Sequence, residues 1–544
     1  IKLDRSNSRL TNLASAICPV ASSRMPVVKS ELIARHDAGT LLEKRFVVIR
    51  RLGSGSFGVV DLIRDRRTGA QRVCKTVNTR GMKMDLLQMM KKEIRLLQEL
   101  DHPRIVSLYE FLEDGRAEKI RLVMEHLAGG DLEELVRGGE RRPCEGLVAR
   151  LLEQVLSATS YCHARGIVHC DLKPENVILT VAPRNERSGF CGWDFCSEPA
   201  DCKVIDFGLA ARFSHVEPNS VRHFAGTPAF IAPEVINVMS GGAFGPKADI
   251  WSIGVIAHYL LAGKLPFGHH QDFNGDMWQV FNNIRGFQGI DVSGTEWDNR
   301  SDNAREFVEE LMQVDVQARP TAVEALQHEW FEDHVSVQHK KIRRRVLRGL
   351  RDFARAPYFV RVCLLLIASR AEDRHSKWAQ RAFMRLDVNG SGVLTQEALQ
   401  DAITNPGGYF PCCCYPSVEA DDLIRDINLS NSGSIQYSEF AAALLYPKLG
   451  GKDGRELATL AFAAIDDDGD GLVSTDAVLA FFSAKHLDEL PFLETLPSDR
   501  PFDELEFYKC LRRANSASRV ASFFMCCGGG TDARRSDSNS SESE

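Results

Sequence analysis

Beyond about residue 45 the hydrophobic and polar positions fall into clear periods; before it they do not. Residues 1–45 are polar, with scattered Ser, Asn and Arg, and read as a flexible N-terminal extension. Strand-like alternation begins at Phe46 and resumes over Val59-Val60-Asp61-Leu62-Ile63. After a turn at Thr68-Gly69 it reappears in Arg72-Val73-Cys74-Lys75-Thr76-Val77. Leu86 to Leu100 carries the helical period, and Ile120 to Met124 is strand-like again. From Val335 the pattern changes kind. Apolar Ile342, Val346, Leu350 and Phe353 are separated by basic residues, which predicts a basic amphipathic helix. Such helices lie on membranes or fill the grooves of calmodulin-like domains. Helical pattern then flanks four turns spaced roughly 35–40 residues apart, and the tail after Leu511 is rich in Ser, Gly and Arg.

The turns between these elements carry chemistry. Leu52-Gly53-Ser54-Gly55-Ser56-Phe57-Gly58-Val59-Val60 spaces three glycines so that backbone can approach phosphates. A strand follows it, where a dinucleotide-binding fold would have a helix. Lys75 stands isolated among apolar neighbours and Glu93 lies on the next helix, a pairing that positions the α- and β-phosphates of ATP. His169-Cys170-Asp171-Leu172-Lys173-Pro174-Glu175-Asn176 gathers a carboxylate, an ammonium and a carboxamide. Asp171 is placed to accept the proton of an attacking hydroxyl, Lys173 to face the moving phosphate, and Asn176 to hold magnesium. Val204-Ile205-Asp206-Phe207-Gly208 delivers a second magnesium carboxylate, Asp206, to a turn. Gly226-Thr227-Pro228 and Ala232-Pro233-Glu234 close an activation segment, and Glu234 with Arg319 predicts a buried structural ion pair.

In this order the motifs resemble the protein-kinase superfamily over about Phe46 to Phe331. The resemblance implies a hinge after Met124, with Met124, Glu125 and Leu127 around adenine. It also puts Asp131 and Glu175 near a substrate peptide, which implies basic residues upstream of the target Ser or Thr. Two departures matter. Cys170 stands where the catalytic loop usually has Arg, so a phosphate on the activation segment would lack its receptor. An insert over about 181–201 has no assigned role.

At 544 residues the chain is too long for one core and implies two to four domains. The net charge of −7 gives no reason to expect a nucleic-acid partner. The 15 cysteines form no regular framework, which favours a reducing, cytoplasmic setting. Cys191, Cys196 and Cys202 lack the CxxC pair or histidine of a zinc site. No run reaches the ~18–20 apolar residues of a membrane span, and Val360 to Ala368 is broken by Arg361. Membrane association is expected only through a lipid on an N-terminus ahead of Ile1.

The repeated turns refine the picture. Asp387, Asn389 and Ser391 give oxygen ligands at loop positions 1, 3 and 5, with Gly392 at 6. A second copy starts at Asn428 and continues with Ser430, Ser432, Gly433, Ile435 and Glu439. Asp466, Asp468, Asp470, Gly471 and Ser474 form a third, and Phe502 to Glu506-Phe507 is the closing half of a fourth. Four such turns in register predict two paired EF-hand lobes that bind calcium. Kinase motifs, basic junction and four EF-hands together resemble the calcium-dependent protein kinases over about residues 46–512. That family implies Ser/Thr kinase activity held off by the junction and released when calcium reshapes the EF-hand lobes. Position 12, normally a bidentate Glu, is Ala398 in the first hand and Ala477 in the third. The acids sit one place early, at Glu397 and Asp476, a displacement of about 100° around the helix. Pro497 and Arg500 make the fourth loop metal-free, and the charged third loop is expected to be the strongest.

The expectation is an α+β chain that uses ATP, Mg2+ and Ca2+. A two-lobed protein-kinase domain spans 46–331, an autoinhibitory junction 332–375, an all-α domain of four EF-hands in two pairs 376–512, and a disordered tail 513–544. Ser516, three residues after Arg513, is a candidate autophosphorylation site, and the cysteines at 412–414 and 526–527 read as packed or exposed thiols. Two rival readings are an active kinase with calcium-indifferent EF-hands and a pseudokinase scaffold.

Overall fold

The computed structural model describes residues 29, 33–36, 44–55, 58–114, 118–137, 142–181, 200–268, 272, 276–334, 344–371, 373–404, 420–466, 469–481 and 500–513. Ser56, Phe57, Asp468, Pro497, Ser516, residues 182–199 of the insert, the start of the junction and the cysteine runs lie outside them.

Six strands form one sheet: β1 (Ala34–His36), β2 (Phe46–Gly55), β3 (Gly58–Asp65), β4 (Gln71–Asn78), β5 (Leu108–Asp114) and β6 (Lys119–Glu125), in the order β1-β5-β6-β4-β3-β2. β1 corrects, for residues 33–36, the reading of the N-terminal extension as flexible. It runs parallel to β5, Ile33 enters the core, and Lys29 Nζ lies 3.4 Å from Asp101 Oδ1. The segment covers an edge strand that would otherwise expose unpaired backbone groups. Helix α1 (Met84–Glu99) buries Met90, Ile94 and Leu97 at helical spacing and brings Glu93 in with them.

The second lobe is helical. α2 (Glu145–Ala164) and α3 (Lys247–Ala262) are buried nearly all round and form the centre of the lobe. Two short antiparallel strands, β7 (Val177–Leu179) and β8 (Cys202–Val204), pack on α2 and carry the catalytic turns. Arg319, fully buried, makes the bidentate pair with Glu234 at 2.7 and 3.2 Å. The lobe's last helix, Glu329–His334, runs past residue 331, and His334 Nε2 lies 3.1 Å from Glu145 Oε1.

A second core belongs to the C-terminal half. α4 (Arg344–Ala354) sends Val346, Leu350 and Phe353 inward against α6 (Tyr437–Leu445), so the basic amphipathic helix fills an EF-hand groove. Gly349 permits this approach, since a Cβ there would meet Leu444 Cδ2 at 3.0 Å. Ala356-Pro357 ends α4, and α5 (Tyr358–Arg370) follows. α5 contains the apolar run from Val360 and buries it between α6 and α7 (Gly454–Ile465), with the Arg361 guanidinium donating to Asp426 O. No helix among the described residues is long and apolar enough to cross a membrane. The apolar position-8 residues pair the hands: Leu394 lies opposite Ile435, and Val473 and Phe502 exchange backbone hydrogen bonds at 3.0 and 2.9 Å.

Candidate functional site: a nucleotide cleft and calcium loops

The glycine loop joins β2 to β3, where Gly55 opposes Gly58. Gly58 has φ 151°, and a Cβ there would sit 2.1 Å from Thr76 O, so this close approach to β4 requires glycine. Gly53 and Ser54 pair with Val60 and Val59, while Leu52 before them on β2 is exposed. On β4, Lys75 Nζ donates to Glu93 Oε1 at 2.8 Å and lies 3.7 Å from Asp206 Oδ1. Burial pushes the Lys75 ammonium down, but Glu93 and Asp206 more than reverse this and leave its pKa raised. The amine is held charged where phosphates would lie.

Adenine-side residues come from the end of β6. Met124 and Leu127 are partly buried and available to a ring. Glu125 turns its carboxylate inward, receiving Lys203 Nζ at 2.8 Å on both oxygens, and its N–H donates to Ser107 O at 3.0 Å, so its side chain is closed to a nucleotide.

The catalytic turn is a closed hydrogen-bonded set. Asp171 Oδ1 accepts from Thr227 Oγ1 at 2.6 Å; its Oδ2 accepts from Asn176 Nδ2 and lies near Lys173 Nζ, both at 3.2 Å. Lys173 Nζ also donates to Thr227 Oγ1 at 2.9 Å. With its amide nitrogen turned to Asp171, Asn176 has its oxygen left for a hard cation. Asp206 has φ 62° and a side chain 47% exposed, so its carboxylate also faces outward. These donors fit magnesium.

Two contributors went unrecognised in the sequence. Thr227 read only as a landmark of the activation segment. Asp249 of α3, 1% exposed, accepts the backbone N–H groups of His169 at 2.8 Å and Cys170 at 2.9 Å, and lies 2.9 Å from His163 Nε2. It fixes the turn in which Cys170 takes φ 67°. Burial pushes the Cys170 thiol well up, so it stays neutral beside Val168 O and offers a phosphate no charge. At the substrate end Glu175 is exposed, Asp131 Oδ1 accepts from Glu134 N at 3.0 Å, and Tyr259 donates to Glu133 at 3.0 Å.

The calcium loops are closed on themselves. Asp387 accepts from Ser391 N at 2.9 Å, Ser391 Oγ at 3.0 Å and Gly392 N at 2.7 Å, and Asn389 Oδ1 from Ser391 N at 3.3 Å. Burial pushes the Asp387 carboxyl up to about 6. Asn428 accepts from Ser430 Oγ at 2.9 Å and Ser432 N at 3.1 Å, and Glu439 from Ser430 N at 2.7 Å and Gln436 N at 2.8 Å. The second loop thus brings its position-12 carboxylate together with positions 1, 3 and 5, a set of oxygens that fits calcium. In the third loop Asp466 accepts from Gly469 N at 3.0 Å and Gly471 N at 3.2 Å, Asp470 from Leu472 N at 2.7 Å, and Ser474 Oγ from Ala477 N at 3.0 Å. Glu397 and Asp476, one place before position 12, are exposed. In the fourth, Arg500 pairs with Glu506 at 2.6 and 3.1 Å, so a guanidinium occupies the carboxylate that would close on a metal.

The protein kinase domain family matches residues 46–331, and an EF-hand domain pair matches residues 376–445. "Calcium-dependent protein kinase 3" of Plasmodium yoelii yoelii is 30% identical over 451 residues, covering 81% of this chain and 76% of that protein. "Calcium-dependent protein kinase 34" of Arabidopsis thaliana is 29% identical over 439 residues, covering 80% and 77%. Among solved structures, the twitchin kinase region from C. elegans is 28% identical with a TM-score of 0.44, covering 57% of this chain and 48% of that one. With an ATP cleft in one half and paired EF-hands closing on its own junction in the other, the chain belongs to the calcium-dependent protein kinases, a family of Ser/Thr kinases.

Proposed function

We propose that this kinase transfers the γ-phosphate of ATP to Ser or Thr of cytoplasmic proteins carrying basic residues upstream, under calcium control exerted through the junction. The set Asp171, Lys173, Asn176 and Thr227 carries the reading, because every member has its hydrogen-bond partner before substrate arrives. Asp171 accepts the hydroxyl proton and Lys173 faces the charge on the transferred group. Lys75, tied to Glu93, orients the nucleotide. A scaffold without turnover would leave this set without a task. Glu175, Asp131 and Glu133 make an acidic rim that favours a basic peptide. On the regulatory side, α4 and α5 are bound by the EF-hand domain, so a calcium-driven change in the hands acts directly on the junction. A lipidated N-terminal segment would place the enzyme at a membrane surface.

Phosphorylation of a basic Ser/Thr peptide by the purified chain, with magnesium-ATP from chelated to millimolar calcium, tests this. A rise at micromolar calcium is expected. The exposed Glu397 and Asp476 favour one second reading, an active kinase whose EF-hands ignore calcium, and flat, high activity would select it.

A further inference from the structure

The third calcium loop exposes Asp470, Gly471 and Leu472 to water but not its leading residue. Its first-position carboxylate, Asp466, is fully buried against the kinase lobe that binds ATP, 3.2 Å from Arg67 Nη1. The same guanidinium donates to Asp466 O at 2.7 Å and Ala463 O at 3.3 Å, the carbonyls that end α7. Arg67 lies so close to the loop that a Cβ on Gly469 would meet its Nη2 at 2.1 Å. Positive charge at a helix C-terminus is itself favourable. One arginine from the kinase lobe therefore satisfies both the loop's leading carboxylate and the end of its entering helix.

Arg67 is presented by a stiff support. It sits in the turn between β3 and β4, where Asp65 Oδ1 accepts Arg67 N at 2.9 Å and Thr68 N at 3.3 Å. Gly69, at φ 70°, returns its N–H to Asp65 O at 2.9 Å. Asp65 is held from the other side by Arg45 at 2.8 Å, and Arg45 also lies 3.2 Å from Glu110 of β5. With the turn fixed by buried partners, little further order is lost when Arg67 holds Asp466. The fourth loop shows the same solution within one hand, where Arg500 takes the position-12 Glu506.

We infer that Arg67 is a surrogate cation for the third EF-hand, so that the kinase lobe and calcium compete for Asp466. This rests on the reading of that loop as a calcium site. Calcium on Asp466 would lie within about 8 Å of the guanidinium, near enough for repulsion to change affinity by about tenfold even at a dielectric constant close to that of water. By linkage, calcium weakens the hold on the β3–β4 turn by the factor that the turn weakens calcium. The turn adjoins the strand that carries Lys75, so the loop's loading state reaches the nucleotide lobe through one ion pair. The cost of calcium entry would help a loop rich in carboxylates keep a resting state, in the same direction as Ala477 at position 12.

Hydrogen–deuterium exchange on the full chain across a calcium titration reads both ends, in peptides over 65–70 and over 469–478. In the unmodified protein calcium is expected to protect 469–478 and deprotect 65–70 with one midpoint. Arg67→Ala should lower the 469–478 midpoint about tenfold and leave second-loop peptides around Glu439 unmoved; Arg67→Lys should give a smaller shift. A third-loop response whose midpoint stays within twofold in Arg67→Ala overturns the competition but leaves the calcium site standing. No third-loop response in either protein overturns both. Asp466→Asn breaks the pair from the other side and should raise exchange at 65–70 without calcium; unchanged protection there overturns the contact.

Discussion

Thr227→Val removes one hydroxyl and keeps the side chain's branched shape. That hydroxyl donates to Asp171 Oδ1 at 2.6 Å and accepts from Lys173 Nζ at 2.9 Å, so it is the hinge between base and ammonium. Hydrogen bonds to charged groups contribute about 1.5–3 kcal/mol, and losing the one on Asp171 frees its carboxylate to rotate. If that amount is lost in the transition state alone, kcat falls about 10- to 150-fold. The nucleotide side is untouched, because Lys75 and Glu93 pair separately at 2.8 Å. Steady-state phosphorylation of a basic peptide should therefore show a large loss in kcat with the KM for ATP within twofold. Thr227→Ser, which restores the hydroxyl, should recover most of the rate. A valine variant within twofold of the unmodified kinase would refute a role for this hydroxyl in holding the base.

Other expectations follow from the same geometry. Cys170 offers no charge to a phosphate, so phosphatase treatment should leave activity within twofold; a tenfold loss would show another receptor. Phe353→Ala empties a fully buried site in the EF-hand core and should destabilise that domain by about 3–5 kcal/mol, read in its own calorimetric transition. A cost below about 1 kcal/mol would mean α4 is not seated in the groove. His258, 2% exposed, has its imidazole pushed down to about 4 by burial, so the folded lobe prefers it neutral. The unfolded chain takes up this proton near pH 6.5 and the folded lobe only near 4. Stability is then fully present above 6.5 and falls by up to about 3 kcal/mol as the pH drops to 4. His258→Gln should flatten that part of the pH profile measured by denaturant unfolding, and an unchanged slope would assign it elsewhere.

The catalytic half was legible because its chemistry is local. Asp171, Lys173 and Asn176 lie within one turn, Lys75 sits in a strand and Asp206 just beyond a short apolar one, so residue type and spacing together specify them. Thr227 and Asp249 were hidden for the opposite reason. Their partners are 56 and 80 residues away in sequence, and a Thr or a buried Asp has no local pattern that declares what it will clamp. The calcium loops show an intermediate case. Ligand spacing pointed to the first three loops and a closing half to the fourth, while the displacement of about 100° set Glu397 and Asp476 apart from position 12. What the spacing did not contain was the fourth loop's solution, because a pairing of Arg500 with Glu506 depends on a side chain folding back across the turn.

Contacts between the two halves lie furthest from any motif, and they share a physical form. Asp101 accepts Ser438 N at 2.9 Å, Arg165 reaches Gln436 at 3.2 Å, Asp201 takes Lys377 at 3.2 Å, and Arg67 takes Asp466. Each joins a kinase residue to an EF-hand helix or loop, and three of the four end in or beside a calcium loop. Gly392 adds a fourth such approach, since a Cβ there would lie 2.0 Å from the Tyr161 ring. A surface built from loops that change shape with an ion cannot be a passive platform. Any rearrangement that improves calcium coordination must move groups that the kinase lobes hold. The free energy of binding is then divided between filling the loop and breaking the contact. Weak position-12 ligands lower the first component, and the second is set by polar contacts, so the two are close enough in size for the contacts to matter. Strengthening one loop, for example by Ala477→Glu, should therefore release the kinase contacts at lower calcium, and exchange at 65–70 that follows the same calcium curve as in the unmodified chain would refute that coupling.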